Sequence, residues 1–249
     1  GARATHGHMS TRNLPTVLVA VDTPSVEEAR ALVERLRGAG VGYKIGLEFF
    51  SANGIAGVQR VLDGAPDTPF FLDLKFHDIP NTVAGAIRAV SAARPAIVNV
   101  HAAGGEAMMR AAVSAAREGA LAVGAEPPLV IAVTILTSMD DADLVAVGQQ
   151  PPVVEQVVRL AKLAQACGLD GVVCSAKELP AIRAACGNAF VTIVPGIRST
   201  GGEIGDQKRV VTPAQAIADG ATFLVIGRPI TQAPDAKQAA IDIVASITR

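Results

Sequence analysis

Residues 70–82 read FFLDLKFHDIPNT, an apolar run that carries Asp73, Lys75, His77 and Asp78 within six positions. An extended strand repeats every two residues, so Leu72, Leu74 and Phe76 fall on one face and Asp73, Lys75 and His77 on the other. Charges on such a strand are costly unless they are paired. An acid beside a lysine can pair, and the pair fixes an ammonium where it can stabilise developing negative charge or give up a proton. Lysine is scarce here, six against sixteen arginines, and both Lys44 and Lys75 lie inside apolar runs where a solvated surface lysine is not expected. Asp22 closes another such run, TVLVAVD. Taken singly, each residue has a plainer reading. Asp22 and Asp78 stand near helix starts, Lys44 can snorkel along a rim, Asp73 with Lys75 can be a structural ion pair, and His77 and His101 can be hydrogen-bonding residues. Two acids and two lysines converging on one rim shift the balance towards chemistry.

The rim follows from the elements. Eight apolar runs recur, at 16–22, 41–47, 70–76, 96–102, 129–136, 171–176, 190–196 and 223–228, separated by segments with helical spacing. Near-continuous apolar strands alternating with helices predict parallel pairing covered by helices. Eight repeats in this length suit a single closed (β/α)8 TIM barrel of the α/β class. An open doubly wound sheet fits less well, because no GxGxxG follows the first strand. Ser25 and Glu28 suggest a capping box, Gly38 and Gly40 a helix stop, and PAQAIADGA a helix opened by Pro213 and closed by Gly220. Residues 1–9, GARATHGHM, read as an expression-tag remnant, which leaves 10–249 as one barrel domain.

Barrel sites lie at the C-terminal strand ends, and phosphate is commonly held after strands 7 and 8. Those loops here are PGIR (195–198) and IGRPI (226–230). Gly227 permits close backbone approach to an oxygen, and Arg228 supplies charge-assisted bonds. Pro195 lies near the end of the seventh run, and Arg198 lies where the glycine-bearing stretch 196–211 begins, a candidate lid that contains Gln207. A small phosphorylated substrate is the expectation. Thr137 and Ser138, after the fifth strand, either read the polar edge of a planar ligand or cap the helix that begins near Asp140.

Composition narrows the class. The 249 residues are half hydrophobic and carry a net charge of −1, which argues against a nucleic-acid binder. Aromatics make up 3%, too few for base-stacking platforms. No uninterrupted apolar stretch reaches membrane-spanning length. Cys167, Cys174 and Cys186 lack metal-ligand spacing and read as free thiols of a reducing cytoplasm. No metal site is expected.

DLKFHDIPNT together with YKIG, LTS, VPGIR, DQKR and IGRPI resembles the orotidine 5′-phosphate decarboxylase family, over the whole span from Asp22 to Arg228 and in order. The resemblance implies a cofactor-free carboxy-lyase that converts orotidine 5′-monophosphate (OMP) to UMP and CO2, the last step of de novo UMP synthesis. Lys75 would donate the proton to C6, with Asp73 beside the substrate carboxylate. Lys44 would bond both the ribose and the acid network, and Asp22 a ribose hydroxyl. Asp78 and Thr82 would reach the neighbouring site of a homodimer with shared active sites. Thr137 and Ser138 would face the pyrimidine, while Pro195, Arg198, Gln207, Gly227 and Arg228 would surround the phosphate. Related barrels share the Asp-x-Lys core but use Mg²⁺ and an enediolate, as hexulose-phosphate synthases and keto-gulonate-phosphate decarboxylases do. A Mg²⁺-dependent phosphosugar lyase is therefore the alternative.

Overall fold

A computed structural model describes residues 13–198 and 211–248. Its strands are β1 (Val17–Val21), β2 (Gly42–Ile45), β3 (Phe70–Phe76), β4 (Ile97–His101), β5 (Leu129–Val133), β6 (Gly171–Val173), β7 (Val191–Val194) and β8 (Phe223–Ile226). All pair in parallel and in sequence order, and β1 meets β8 through Val17↔Leu224 and Val19↔Ile226, so the sheet closes. The (β/α)8 expectation holds. Each strand starts within one residue of its apolar run but is mostly shorter, because the run continues into the loop that forms the mouth.

The helices are α1 (Val26–Arg35), α2 (Leu47–Leu62), α3 (Pro80–Val90), α4 (Glu106–Ala122), α5 (Asp141–Ala146), α6 (Val153–Ala166), α7 (Leu179–Cys186), α8 (Pro213–Ala218), α9 (Arg228–Thr231) and α10 (Ala236–Ile247). The expected capping box at α1 is half formed. Ser25 accepts from the Glu28 N–H at 3.2 Å, but the Glu28 carboxylate takes its bond from the Thr23 hydroxyl at 2.6 Å. A short partner next to the cap has outcompeted the reciprocal contact. The expected α8 start is present: Thr212 accepts from the Gln215 N–H at 3.1 Å, ahead of Pro213.

Strand alternation divides the core in two. Leu18, Phe71, Ile97, Ile131, Ile193 and Phe223 fill the barrel lumen, whereas Leu72, Leu74, Val83, Ile87 and Met108 belong to the layer between sheet and helices. Each such side chain contributes about 1.5–3 kcal/mol on full burial. Gly171 is required where β6 meets β7: a Cβ there would lie 2.0 Å from the Val191 carbonyl oxygen. At the N-terminal strand ends the Arg183 guanidinium donates to the carbonyl of Gly220 (3.0 Å) and the Thr192 hydroxyl (2.9 Å), tying β7 to β8 away from the mouth. Among the described residues, no helix is long and apolar enough to cross a membrane.

Candidate active site

Continuing each lumen-facing register by two residues brings polar groups to the C-terminal mouth. Ala20 leads to Asp22, Gly42 to Lys44, Phe71 to Asp73, Ile97 to Asn99 and Val225 to Gly227. Period two therefore puts an apolar plug below and chemistry above. The same alternation sends Leu72 and Leu74 to the helix layer, as the sequence predicts.

The polar groups form a chain. Lys75 Nζ lies 2.7 Å from Asp73 Oδ1, Lys44 Nζ lies 3.3 Å from Asp73 Oδ2, and Lys44 Nζ lies 3.8 Å from Asp22 Oδ1. Both contacts to the enclosed Asp73 are shorter than the one to the open Asp22: the Asp22 side chain is 62% exposed, that of Lys75 29%, that of Lys44 15% and that of Asp73 8%. Asp22 is not the cap of α1, a role taken by Ser25, and Lys44 turns inward instead of snorkelling to the rim. Lys75 has a φ of +49°, a left-handed conformation that costs a non-glycine residue about 1–3 kcal/mol. Such strain persists where the surroundings over-determine it, and here they include Asn99. This fully buried side chain accepts from the Lys75 N–H at 2.9 Å and donates to Asp73 Oδ1 at 2.8 Å. Sequence reasoning missed Asn99. The available signal was a carboxamide in the lumen register of an otherwise apolar strand.

Burial alone would raise the Asp73 carboxyl. The charges of Lys44 and Lys75, with hydrogen bonds from Lys75 and Asn99, outweigh it and hold the group below its usual value of 3.8. A depressed carboxylate stabilises the fold fully above its unfolded pKa, about 4, and that contribution is lost as pH falls through the lower folded value. We expect carbon-detected NMR of the Asp73 carboxyl to titrate below 3.8; a midpoint at or above that value would refute the arrangement. Beyond the array, His77 stacks on His101 with ring centroids 5.2 Å apart. Burial, then the nearby His77 and Lys75, lower the His101 pKa.

Two cavities share Val225 at the mouth. The inner one, about 230 Å³, is lined by Lys44, Asp73, Lys75, Thr137 and Pro195 against Val133, Ile193 and Val225. The outer one, about 430 Å³, is lined by Asp22, Gly196, Ile197, Arg198, Gly227, Arg228 and Pro229. Two arginines and a glycine backbone thus flank a space next to the lysine array. A further apolar cavity near Leu121 and Val130 opens at the opposite end of the barrel, remote from every charged group of the array.

Not every predicted residue joins the site. Thr137 lines the inner cavity, whereas Ser138 is exposed and lines neither. Neither residue caps α5, because Asp140 does so in a reciprocal box with Asp143. Asp78 and Thr82 are exposed at the start of α3, with the Asp78 carboxylate accepting from the Ile79 N–H. Gln207, with most of the candidate lid, lies outside the described residues, as does the 1–9 segment.

A closed parallel barrel whose mouth joins an acid–lysine array to an arginine-flanked pocket belongs to the (β/α)8 enzymes. Residues 15–243 match the Orotidine 5′-phosphate decarboxylase / HUMPS family, and the chain belongs to it. It is 56% identical over 224 residues to the orotidine 5′-phosphate decarboxylase of Rhodospirillum rubrum, covering 90% of each chain. It is 51% identical over 232 residues to that of Moorella thermoacetica, covering 93% of this chain and 91% of the relative. The crystal structure of orotidine 5′-phosphate decarboxylase from Lactobacillus acidophilus superposes with a TM-score of 0.83 at 34% identity, over 95% of this chain and all of that one.

Proposed function

We propose that this chain decarboxylates OMP to UMP and CO2, the reaction that its relatives' name, orotidine 5′-phosphate decarboxylase, denotes, as a step of pyrimidine synthesis. The observation that carries the reading is the run Asp22–Lys44–Asp73–Lys75, set between an enclosed pocket and an arginine-flanked one. The pyrimidine fits the inner pocket, with Thr137 and Pro195 at its edge, and the ribose lies along Asp22 and Lys44. The phosphate sits among Arg198, Gly227 and Arg228.

The chemistry then needs one positioned cation. As the bond from C6 to the carboxylate breaks, its electron pair stays on C6 in an sp² orbital without a conjugated sink. The Lys75 ammonium stabilises that charge and passes its proton to C6 while CO2 departs. The resulting neutral amine takes a proton back from water, and the balance closes. Asp73 anchors Lys75 through its 2.7 Å contact before substrate arrives, so little reorganisation remains for the reaction itself.

The Mg²⁺-lyase alternative is less well supported. Mg²⁺ seeks oxygen ligands, yet both acids at this mouth are already within 4 Å of a lysine ammonium, which repels the ion. In the same reading the working unit is a homodimer. Asp78 and Thr82 are exposed beside Ile79, itself 66% exposed, and Leu47 on the same rim is 53% exposed. A second subunit would cover these apolar groups and receive the acid. Buried free thiols at Cys167 and Cys174 suit a reducing cytoplasm.

The test follows OMP absorbance near neutral pH, with and without EDTA, on protein whose mass in solution is measured by sedimentation. We expect rapid decay insensitive to EDTA from a dimer. Decay that requires Mg²⁺, or turnover of phosphosugars in place of OMP, would transfer the chain to the lyase branch.

A further inference from the structure

We propose that Asn99 is a positioning residue for this reaction: one end of its carboxamide sets the Lys75 backbone, the other sets the Asp73 carboxylate, and together they aim the ammonium. The inference rests on the decarboxylase reading above.

Asn99 has no exposed surface and is flanked in β4 by Val98 and Val100. A polar side chain in such a place needs its bonds satisfied, and both its partners are members of the array. The orientation of the amide is set by those partners. Only an oxygen can accept from the Lys75 N–H, and only the NH₂ can donate to the Asp73 carboxylate.

The strands show why a side chain is used there. Pairing between β3 and β4 runs through Leu72↔Val98 and resumes at Phe76↔Val100, so four steps along β3 face two along β4. The surplus backbone, Asp73 to Lys75, stands opposite Asn99. The Lys75 N–H goes to the Asn99 side chain. That bond falls on the residue that holds positive φ, and the turn in the chain returns Lys75 Nζ to Asp73 Oδ1. Asp73 Oδ1 thus receives Lys75 and Asn99 together, while Oδ2 faces Lys44. Without the amide, Asp73 could rotate and Lys75 could relax towards an ordinary strand conformation.

The test compares Asn99→Ala and Asn99→Asp with the parent. Misplacement of a reacting group by about 1 Å can cost about 10²-fold in rate, so we expect Asn99→Ala to lower kcat by about 10- to 100-fold. UMP affinity should stay within about threefold, because no phosphate or ribose contact is touched. Asn99→Asp keeps the acceptor for the Lys75 N–H but puts a second carboxylate against Asp73. The charged groups facing it are Asp73 and Lys75 of β3 and Lys44 of β2, and the further titratable groups are His101 of β4 and the His77 stacked on it. We expect this variant to be slow at neutral pH and to recover towards the parent rate as pH falls, when the introduced carboxyl gains a proton to donate to Asp73. The parent should lack that recovery.

A folded Asn99→Ala with the parent kcat would overturn the proposal, as would equal losses in kcat and UMP affinity. If Asn99→Ala does not fold, the near-isosteric Asn99→Asp decides: a parent-shaped pH profile at the parent rate is fatal. A parent that fails to turn over OMP strikes the decarboxylase reading alone. Crystal structures of the parent and Asn99→Ala then carry the positioning claim without turnover. Lys75 leaving positive φ in the variant supports it, and an unmoved Lys75 and Asp73 reject it.

Discussion

We expect Lys75→Ala to lower kcat for OMP decarboxylation by at least about 10⁴-fold, with UMP still binding within about tenfold of the parent. The size follows from what one ammonium does. A positioned proton donor contributes about 10²–10⁴-fold, and a charge preorganised at the reacting atom about 10²–10³-fold more. Alanine suits the left-handed φ of +49° no better and no worse than lysine, so backbone strain is unchanged. Asp73 keeps Lys44 at 3.3 Å and the Asn99 amide at 2.8 Å, so the carboxylate is not left without partners. Lys75→Arg sharpens the test, because a guanidinium keeps the charge but does not release a proton in this pH range. It too should fall by more than about 10³-fold if proton delivery is essential. Absorbance decay per folded enzyme gives the rate and calorimetry gives UMP affinity. A Lys75→Ala variant turning over at the parent rate would remove Lys75 from the mechanism.

Much of this architecture is legible because period-two alternation and barrel closure are both local rules. FFLDLKF shows its two faces in the string itself, and the lumen–helix partition of Leu72 and Leu74 against Asp73 follows from it. The pairing of Lys44 with Asp73 is less local. It depends on β2 lying next to β3, in a register where Lys44 sits opposite Phe71, two residues before Asp73. The left-handed Lys75 and the slip between β3 and β4 were not legible, since a lysine in an apolar strand gives no signal of positive φ. Asn99 was passed over for a related reason: its worth lies in a backbone N–H twenty-four residues away, which composition does not reveal. At α5 the sequence left Thr137 and Ser138 open between capping and ligand reading. Asp140 takes the cap and leaves Thr137 free to face the inner cavity, while Ser138 stays outside it.

The second large effect separates binding from chemistry. Arg228→Ala should reduce kcat/KM for OMP by about 10²–10³-fold, since an arginine–phosphate contact is charge-assisted and often bidentate. Orotidine, the same substrate without its phosphate, should be turned over by the variant within about twofold of the parent's slow rate. The separation of the two cavities is the ground for expecting this asymmetry. Arg228 lines the outer cavity with Arg198 and Gly227, whereas the inner cavity is lined by Lys44, Asp73 and Lys75, and only Val225 belongs to both. Binding energy gathered at a remote phosphate can serve the reacting carbon only by holding the substrate in the arrangement where Lys75 meets C6. If Arg228→Ala raises KM for OMP with kcat unchanged, the phosphate grip is uniform binding and the inner array works independently of it. If kcat falls as well, the grip also organises the transition state. Equal losses for OMP and orotidine would contradict both outcomes and remove Arg228 from the phosphate site.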